Sequence, residues 1–293
     1  MFRSPGRPFY SFLLFLCVFS ALPFLFPSTY AQQAPPPSAA RILLLPRTIV
    51  SGERATLAVL DFNGRLTPGV TVTFSNGDRL TTDTTGRALF VAPLNPGVIL
   101  GSIAGREGRV PTTILADSEA PATSIEITSV PAMASLSDRF ALSGRGFCGD
   151  ADANQVTISG AKALVLASSP TSLIVLPPAD LDPGRASVDL SCSKRAGPPI
   201  EIIFVSLTLE ADSSPLKPGQ HRTLTVRVRG TTSKVVLEAR NLAPDIAELT
   251  DGNPVKASSS GGAENLAHFE VVGRKHGNFL ISIRLLSPTT RPR

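Results

Sequence analysis

The feature that most constrains this chain is a two-residue alternation of apolar and polar side chains. Gly, Pro, Asn and Asp interrupt it about every eight to twelve residues. In "GVTVTF", Val70, Val72 and Phe74 fall on one face of an extended strand, and Thr71 and Thr73 on the other. Leu224, Val226 and Val228 alternate with Thr225, Arg227 and Arg229 in the same way. Successive strand side chains point to opposite faces, so these runs specify antiparallel sheets with one face buried and one solvated. Apolar spacing of three and four residues is scarce. Burying one Val or Phe contributes about 1.5–3 kcal/mol, so about a dozen inward positions sustain a small sandwich. The expected fold class is all-β, built of tandem sandwiches.

Two polar stretches divide the chain. "ADSEAPATS", Ala116 to Ser124, reads as a linker, and "VSLTLEADSSPLKP", Val205 to Pro218, joins one strand to the next with little slack. The expected segments are 41–116, 123–206 and 207–290. Leu207 and Leu209 can finish the second sheet or start the third.

The N-terminus carries an export signature. Arg3 and Arg7 form a positive region without acids, followed by the apolar run Phe12 to Phe26, "FLLFLCVFSALPFLF". That run is shorter than the ~20 residues a membrane helix needs, and Pro23 further weakens a helical anchor. "STYA" then places Thr29 and Ala31 at the small-residue positions before a cleavage site. The expectation is a signal peptide over 1–31 and a Pro-rich linker over 32–40, with no membrane span after cleavage. Cys17 follows Leu14, Phe15 and Leu16 and lacks the small residues of a lipid-attachment site. The chain is expected to be exported, to the periplasm, the cell surface or the medium.

Removing that leader changes the composition that bears on function. Both tyrosines, Tyr10 and Tyr30, depart with it, and the chain has no Trp. Interface hot spots draw on Trp, Tyr and Arg, and nucleobase stacking draws on exposed rings. Both modes lose most of their usual groups. The remaining 26 basic and 23 acidic residues leave a mild excess of charge. Lys194-Arg195 and "GRKHG", Gly273 to Gly277, are short solvated clusters, so no nucleic-acid partner is expected. Cys148 and Cys192 remain, and paired cysteines in an oxidising compartment close a disulfide. In the chain-entropy model a loop of about 45 residues gives roughly 4 kcal/mol.

The first segment contains "SGERATLAVLDFNGRLTPGVTVTFSNG" and "TTDTTGRALF", with turns at Asn63-Gly64, Pro68-Gly69 and Thr85-Gly86. Over residues 48–92 it resembles bacterial immunoglobulin-like domains of the adhesin type. The regulatory-like β-sandwich modules of carboxypeptidases share the same cadence of Asp, Gly, Val and Thr. The second segment contains Pro131, the corner Ser143-Gly144-Arg145-Gly146-Phe147, Val156-Thr157-Ile158, Thr171 to Val175, and Pro183-Gly184. Over 124–192 it resembles the IPT/TIG module, an immunoglobulin-like fold. The resemblance implies glycines that turn the chain out of an early strand, an aromatic that plugs the core, and a Pro-Gly pair before a late strand. Met133 to Asp138 stands where that family commonly has a glycine. The third segment, with "PGQHRTLTVRVRG" and "NFLISIRLL", reads as a sandwich from alternation alone.

"FCGDADAN", Phe147 to Asn154, concentrates the candidate chemistry. Asp150, Asp152 and Asn154 have the spacing of the first three oxygen ligands of a calcium loop. The expected glycine and glutamate positions hold Gln155 and Ala161. The expected reading is a turn between strands, with calcium as the weaker candidate. Cys148 has no CxxC partner and no local His, and is expected to be structural. His221, His268 and His276 lack ligand spacing, although Glu264 or Glu270 could join a zinc set. "SSSGGAEN", Ser258 to Asn265, reads as a flexible loop, and no GxSxG elbow accompanies it.

No cofactor and no catalytic residue are expected. The leading expectation is a non-catalytic exported scaffold or adhesion protein binding a protein or cell surface of unspecified identity. Its contacts would use edge strands or loop tips, weak singly and reinforced by multivalency. The alternative is a set of accessory modules for an exported enzyme or transport system handling polysaccharide. A hydrolase is the remaining class.

Overall fold

The alternation is realised as paired strands. The computed structural model describes residues 41–105, 108–116, 123–210 and 214–290. The expected leader 1–31, the Pro-rich stretch 32–40 and most of the first linker lie outside the described residues. Among the described residues the one helical element is a 3-10 turn, Ala151–Ala153. No helix there is long and apolar enough to cross a membrane. The fold is all-β, a tandem of β-sandwiches.

In the first sandwich, one sheet runs Thr48–Val50, Val110–Leu115, Gly97–Ile103, Thr71–Phe74 and Arg79–Thr81. It faces the strands Ile42–Leu44, Arg54–Leu60 and Arg87–Val91. Leu57, Val59, Val72, Phe74 and Ile103 are buried between them, and Phe74 meets Phe90 at 5.4 Å between ring centroids. Val70, Val72 and Phe74 are buried and Thr71 is exposed, so the alternation fixes the face. Gly86 sits at φ +77, where a Cβ would lie 2.6 Å from the Thr67 amide nitrogen, so the turn before Arg87–Val91 requires glycine.

The second sandwich sets Glu126–Pro131, Phe140–Arg145, Ser172–Leu176 and Leu164–Ser169 against Asn154–Ile158, Gly184–Cys192 and the first half of Ile200–Glu210. Its core holds Phe147, Leu142, Ile158, Leu173 and Phe204. Phe140 and Phe204 pack edge to face at 5.7 Å. Ser159 and Gly160 both adopt positive φ and close the two-residue hairpin joining Ile158 to Ala161.

The third sandwich sets the second half of Ile200–Glu210, His221–Arg229, Leu266–Gly273 and Ala247–Leu249 against Val255–Ser258, Val236–Asn241 and Ile281–Leu286. Leu224, Val226, Leu237, Leu249, Phe269 and Val271 form its core.

The joints between sandwiches are made of strand. Ile200–Glu210 pairs with Gly184–Cys192 through Ile200 to Phe204, then with His221–Arg229 through Ser206 to Glu210. The border read at 206/207 therefore falls inside one continuous strand, and the connection expected from Val205 begins as sheet. Leu207 and Leu209 extend the strand that the second sandwich began. The chain then returns: Thr289–Thr290 pairs antiparallel with Pro131 and Val130, and Met133–Ser135 lies parallel to Ile203 to Val205.

The loop at Ser258 to Asn265, expected to be flexible, is anchored at two positions. Ser259 and Asn265 are fully buried. The Asn265 Nδ2 donates to the Thr231 and Ser233 carbonyls at 3.1 and 3.0 Å, and its Oδ1 accepts from the Gly261 amide at 2.8 Å. The Ser259 hydroxyl accepts from the Val235 amide at 2.9 Å. Polar side chains that look solvated in the sequence substitute here for missing strand partners.

Candidate functional site

The stretch 147–154 is where elements from different parts of the chain converge. It leaves the Phe140–Arg145 strand through Gly146 at φ +80 and drops Phe147 into the core, 2% exposed. Cys148 follows, half-buried, and is bridged to fully buried Cys192 across a Cα separation of 5.8 Å, within the usual disulfide range. Asn154 folds the loop back on itself: its Oδ1 accepts from the Cys148 amide at 2.9 Å, and its Nδ2 donates to the Cys148 and Asp150 carbonyls at 2.8 Å each.

The three candidate calcium ligands are each engaged differently. Asp150 caps the 3-10 turn, its Oδ1 accepting from the Asp152 amide at 3.0 Å. Asp152 pairs through its carboxylate with the guanidinium of Arg87 on the first sandwich. Asn154 is buried and turned onto backbone. Among the described residues no group of three or more His, Cys, Asp or Glu is placed to hold a metal. The Thr225 hydroxyl and the His268 Nδ1 lie 3.1 Å apart across paired strands.

What the loop does instead is dock. The Gly149 carbonyl accepts from the Thr56 hydroxyl at 2.8 Å and from the Ser168 hydroxyl at 2.7 Å. The Ala151 amide donates to the Thr56 hydroxyl at 3.1 Å. A Cβ on Gly149 would stand 2.0 Å from the Arg54 carbonyl oxygen, so the loop reaches the Arg54–Leu60 strand only because residue 149 is glycine. Arg87 is nearly buried and, among the described residues, its Nε has no hydrogen-bond partner, while its other arm meets exposed Asp152. Beside the loop, Ser168 pairs with Thr56 and thereby joins sheet strands of the first and second sandwiches. The Ser169 and Thr171 hydroxyls both donate to the Thr48 carbonyl, at 2.7 and 3.0 Å. An apolar seam of Leu44, Ala58, Leu60, Leu166 and Ala167 lies under these contacts. A groove of about 480 Å³ opens along it between Leu43, Arg47, Pro111, Ala141 and Ile174.

A second joint couples the third sandwich. The Met133 amide donates to the Ser287 hydroxyl at 2.9 Å and the Ala132 amide to the Pro288 carbonyl at 3.1 Å. From His221–Arg229, Arg227 Nε donates to Oε1 of Glu210, the last residue of the shared strand, at 2.6 Å. That bond holds the Glu210 carboxyl below its ordinary value and the Arg227 guanidinium above its own.

Sequence reasoning located the cysteine pair and the turn but missed the docking partners Thr56, Arg87 and Ser168. One signal was legible: Ser168 and Ser169 end an otherwise apolar strand, and both are buried, donating to the Gly149 and Thr48 carbonyls. Polar residues at inward positions of a strand mark a place where another backbone needs hydrogen bonds.

No family model matches this chain, and no curated protein matches it. Among solved structures it is similar to SGBP-B of the Bacteroides ovatus mixed-linkage glucan utilization locus, in complex with a mixed-linkage heptasaccharide. The identity is 12%, over 83% of this chain and 73% of that one, with a TM-score of 0.30. It is also similar to the I9-I11 tandem of titin, at 10% identity over 84% and 97% of the two chains with a TM-score of 0.21. The surface layer protein SbsC, domains 1-6, matches at 14% identity over 87% of this chain and 39% of that one, with a TM-score of 0.20. The fold assignment rests on this chain's own sheets.

Proposed function

We propose that this chain is a non-catalytic exported scaffold: three immunoglobulin-like modules, over 41–116, 123–206 and 207–290, held in fixed relation so that exposed edges and loops are presented at set spacing. The observation that carries this reading is the construction of the joints. One strand, Ile200–Glu210, serves two sandwiches, and the loop 147–154 spends its carbonyl, amide and carboxylate groups on the first sandwich. A linker meant for free reorientation would be polar and slack; these joints are hydrogen-bonded and apolar.

The middle module is assigned to the IPT/TIG type. Support comes from the buried Phe147 after the Gly144–Gly146 corner and from Pro183-Gly184 opening the Gly184–Cys192 strand. A Cβ on Gly144 would lie 2.1 Å from the Glu126 carbonyl oxygen, which accounts for glycine at that corner.

The test is fractionation of the native cell with crosslinking, paired with a hydrolase screen on the purified protein. The scaffold reading expects recovery outside the cytoplasm, crosslinks to envelope neighbours from the first and third modules, and no turnover. Turnover that copurifies with the chain and is abolished by a point substitution would overturn it.

A further inference from the structure

We propose that the Cys148–Cys192 bridge is a site of thiol–disulfide exchange with a dithiol reductant, in which Cys148 is the sulfur attacked and Cys192 the sulfur that leaves. The inference stands on the bridge's surroundings and does not depend on the scaffold reading.

The two sulfurs are unlike. Cys148 is half-buried and its Sγ lies 3.8 Å from the exposed Ser193 hydroxyl, so this side of the bridge faces the surface. Cys192 is fully buried among the apolar side chains of the second core. Burial in apolar surroundings disfavours a thiolate, so Cys192 alone would be a poor leaving group. The fold places a cation beside it. The Gly184–Cys192 strand turns through Ser193, at φ +56, into Arg195–Ala196, and the register sets Arg195 directly opposite Cys192. The Arg195 Nη2 donates to the Cys192 Sγ at 3.2 Å and stands 4.0 Å from the Cys148 Sγ. A guanidinium there stabilises the charge that develops on Cys192 as the bond breaks, and a leaving thiol of lower pKa leaves faster.

The exchange balances as follows. One thiolate of the dithiol attacks Cys148 Sγ; the S–S bond breaks and its electron pair departs on Cys192 Sγ beside Arg195. The second thiolate of the dithiol attacks the mixed disulfide and releases Cys148. The protein bridge gains two electrons and two protons, and the dithiol becomes a disulfide. Asn154 holds the Cys148 amide and carbonyl independently of the bridge, so the two thiols stay placed for reoxidation.

The experiment follows reduction of the purified protein by dithiothreitol without denaturant, read by alkylation and peptide mass. The rate is expected to rise in proportion to dithiothreitol concentration. Arg195→Gln is expected to slow it about three- to tenfold while Arg195→Lys stays near wild type. Reaction with a monothiol, followed by acid quench and alkylation in denaturant, is expected to show the mixed disulfide on Cys148 and the alkylated thiol on Cys192, a result that does not require any variant to fold. A rate independent of dithiol concentration, an unchanged rate in Arg195→Gln, or adducts on Cys192 would each overturn the proposal.

Discussion

Gly149 has no side chain because the Arg54 carbonyl occupies the place where one would begin. Gly149→Ala therefore has to push the loop off the Arg54–Leu60 strand, costing the Thr56 and Ser168 hydrogen bonds to its carbonyl. Forced displacement of this kind costs about 1–3 kcal/mol, so a lower melting temperature and faster proteolysis within 147–154 are expected by calorimetry and limited digestion. Asp83 works differently. The Thr85 hydroxyl, at 2.7 Å, holds the Asp83 carboxyl below its ordinary value, against a smaller opposing effect of burial and with help from the Thr85 and Arg87 amides. Because the folded value is depressed, the stability it contributes is present above about pH 4, the unfolded range, and is lost as pH falls through the lowered value. Asp83→Asn is expected to melt below wild type at neutral pH, with the gap closing as pH drops under 4 in an unfolding series.

At the scale of elements, the strand Ile200–Glu210 decides how the second and third sandwiches respond to damage. Phe204, fully buried, packs on Phe140 in the second core, and two residues later the same strand begins pairing with His221–Arg229. Phe204→Ala is expected to cost about 3–5 kcal/mol. Hydrogen exchange of the His221–Arg229 amides, in the neighbouring sandwich, is expected to accelerate with it; unchanged exchange there would mean the strand does not transmit the loss. The alternation that announces these strands was legible because it reports burial directly: Leu224, Val226 and Val228 point inward as their spacing required. The cysteine pair was legible because Cys148 and Cys192 are the two cysteines beyond the expected leader, and the fold bridges them. The joints were not. A strand shared between two sheets has the same local pattern as a strand belonging to one, so the expected border at 206/207 carries no turn signal: it lies within Ile200–Glu210, beside the change of partner between Phe204 and Ser206. The loop at 147–154 shows three ligand-type oxygens in sequence, and only the fold reveals that Asp152 faces Arg87 and Asn154 faces its own backbone.

At the scale of the whole described chain, the two joints rest on different contacts. The first combines an apolar seam with hydroxyl and guanidinium contacts; the second combines a continuous strand with the returning Thr289–Thr290 pairing. If both hold, the first and third sandwiches keep one relative placement even though they are not consecutive. The most direct measurement is the distance distribution between spin labels on the first and third sandwiches, introduced by Asn63→Cys and Asp251→Cys in the oxidised chain beginning at residue 32. Both positions are exposed. A single narrow distribution, broadened by Gly149→Ala, is the result expected of a fixed array. A broad distribution in the unsubstituted loop, unchanged by Gly149→Ala, would contradict it.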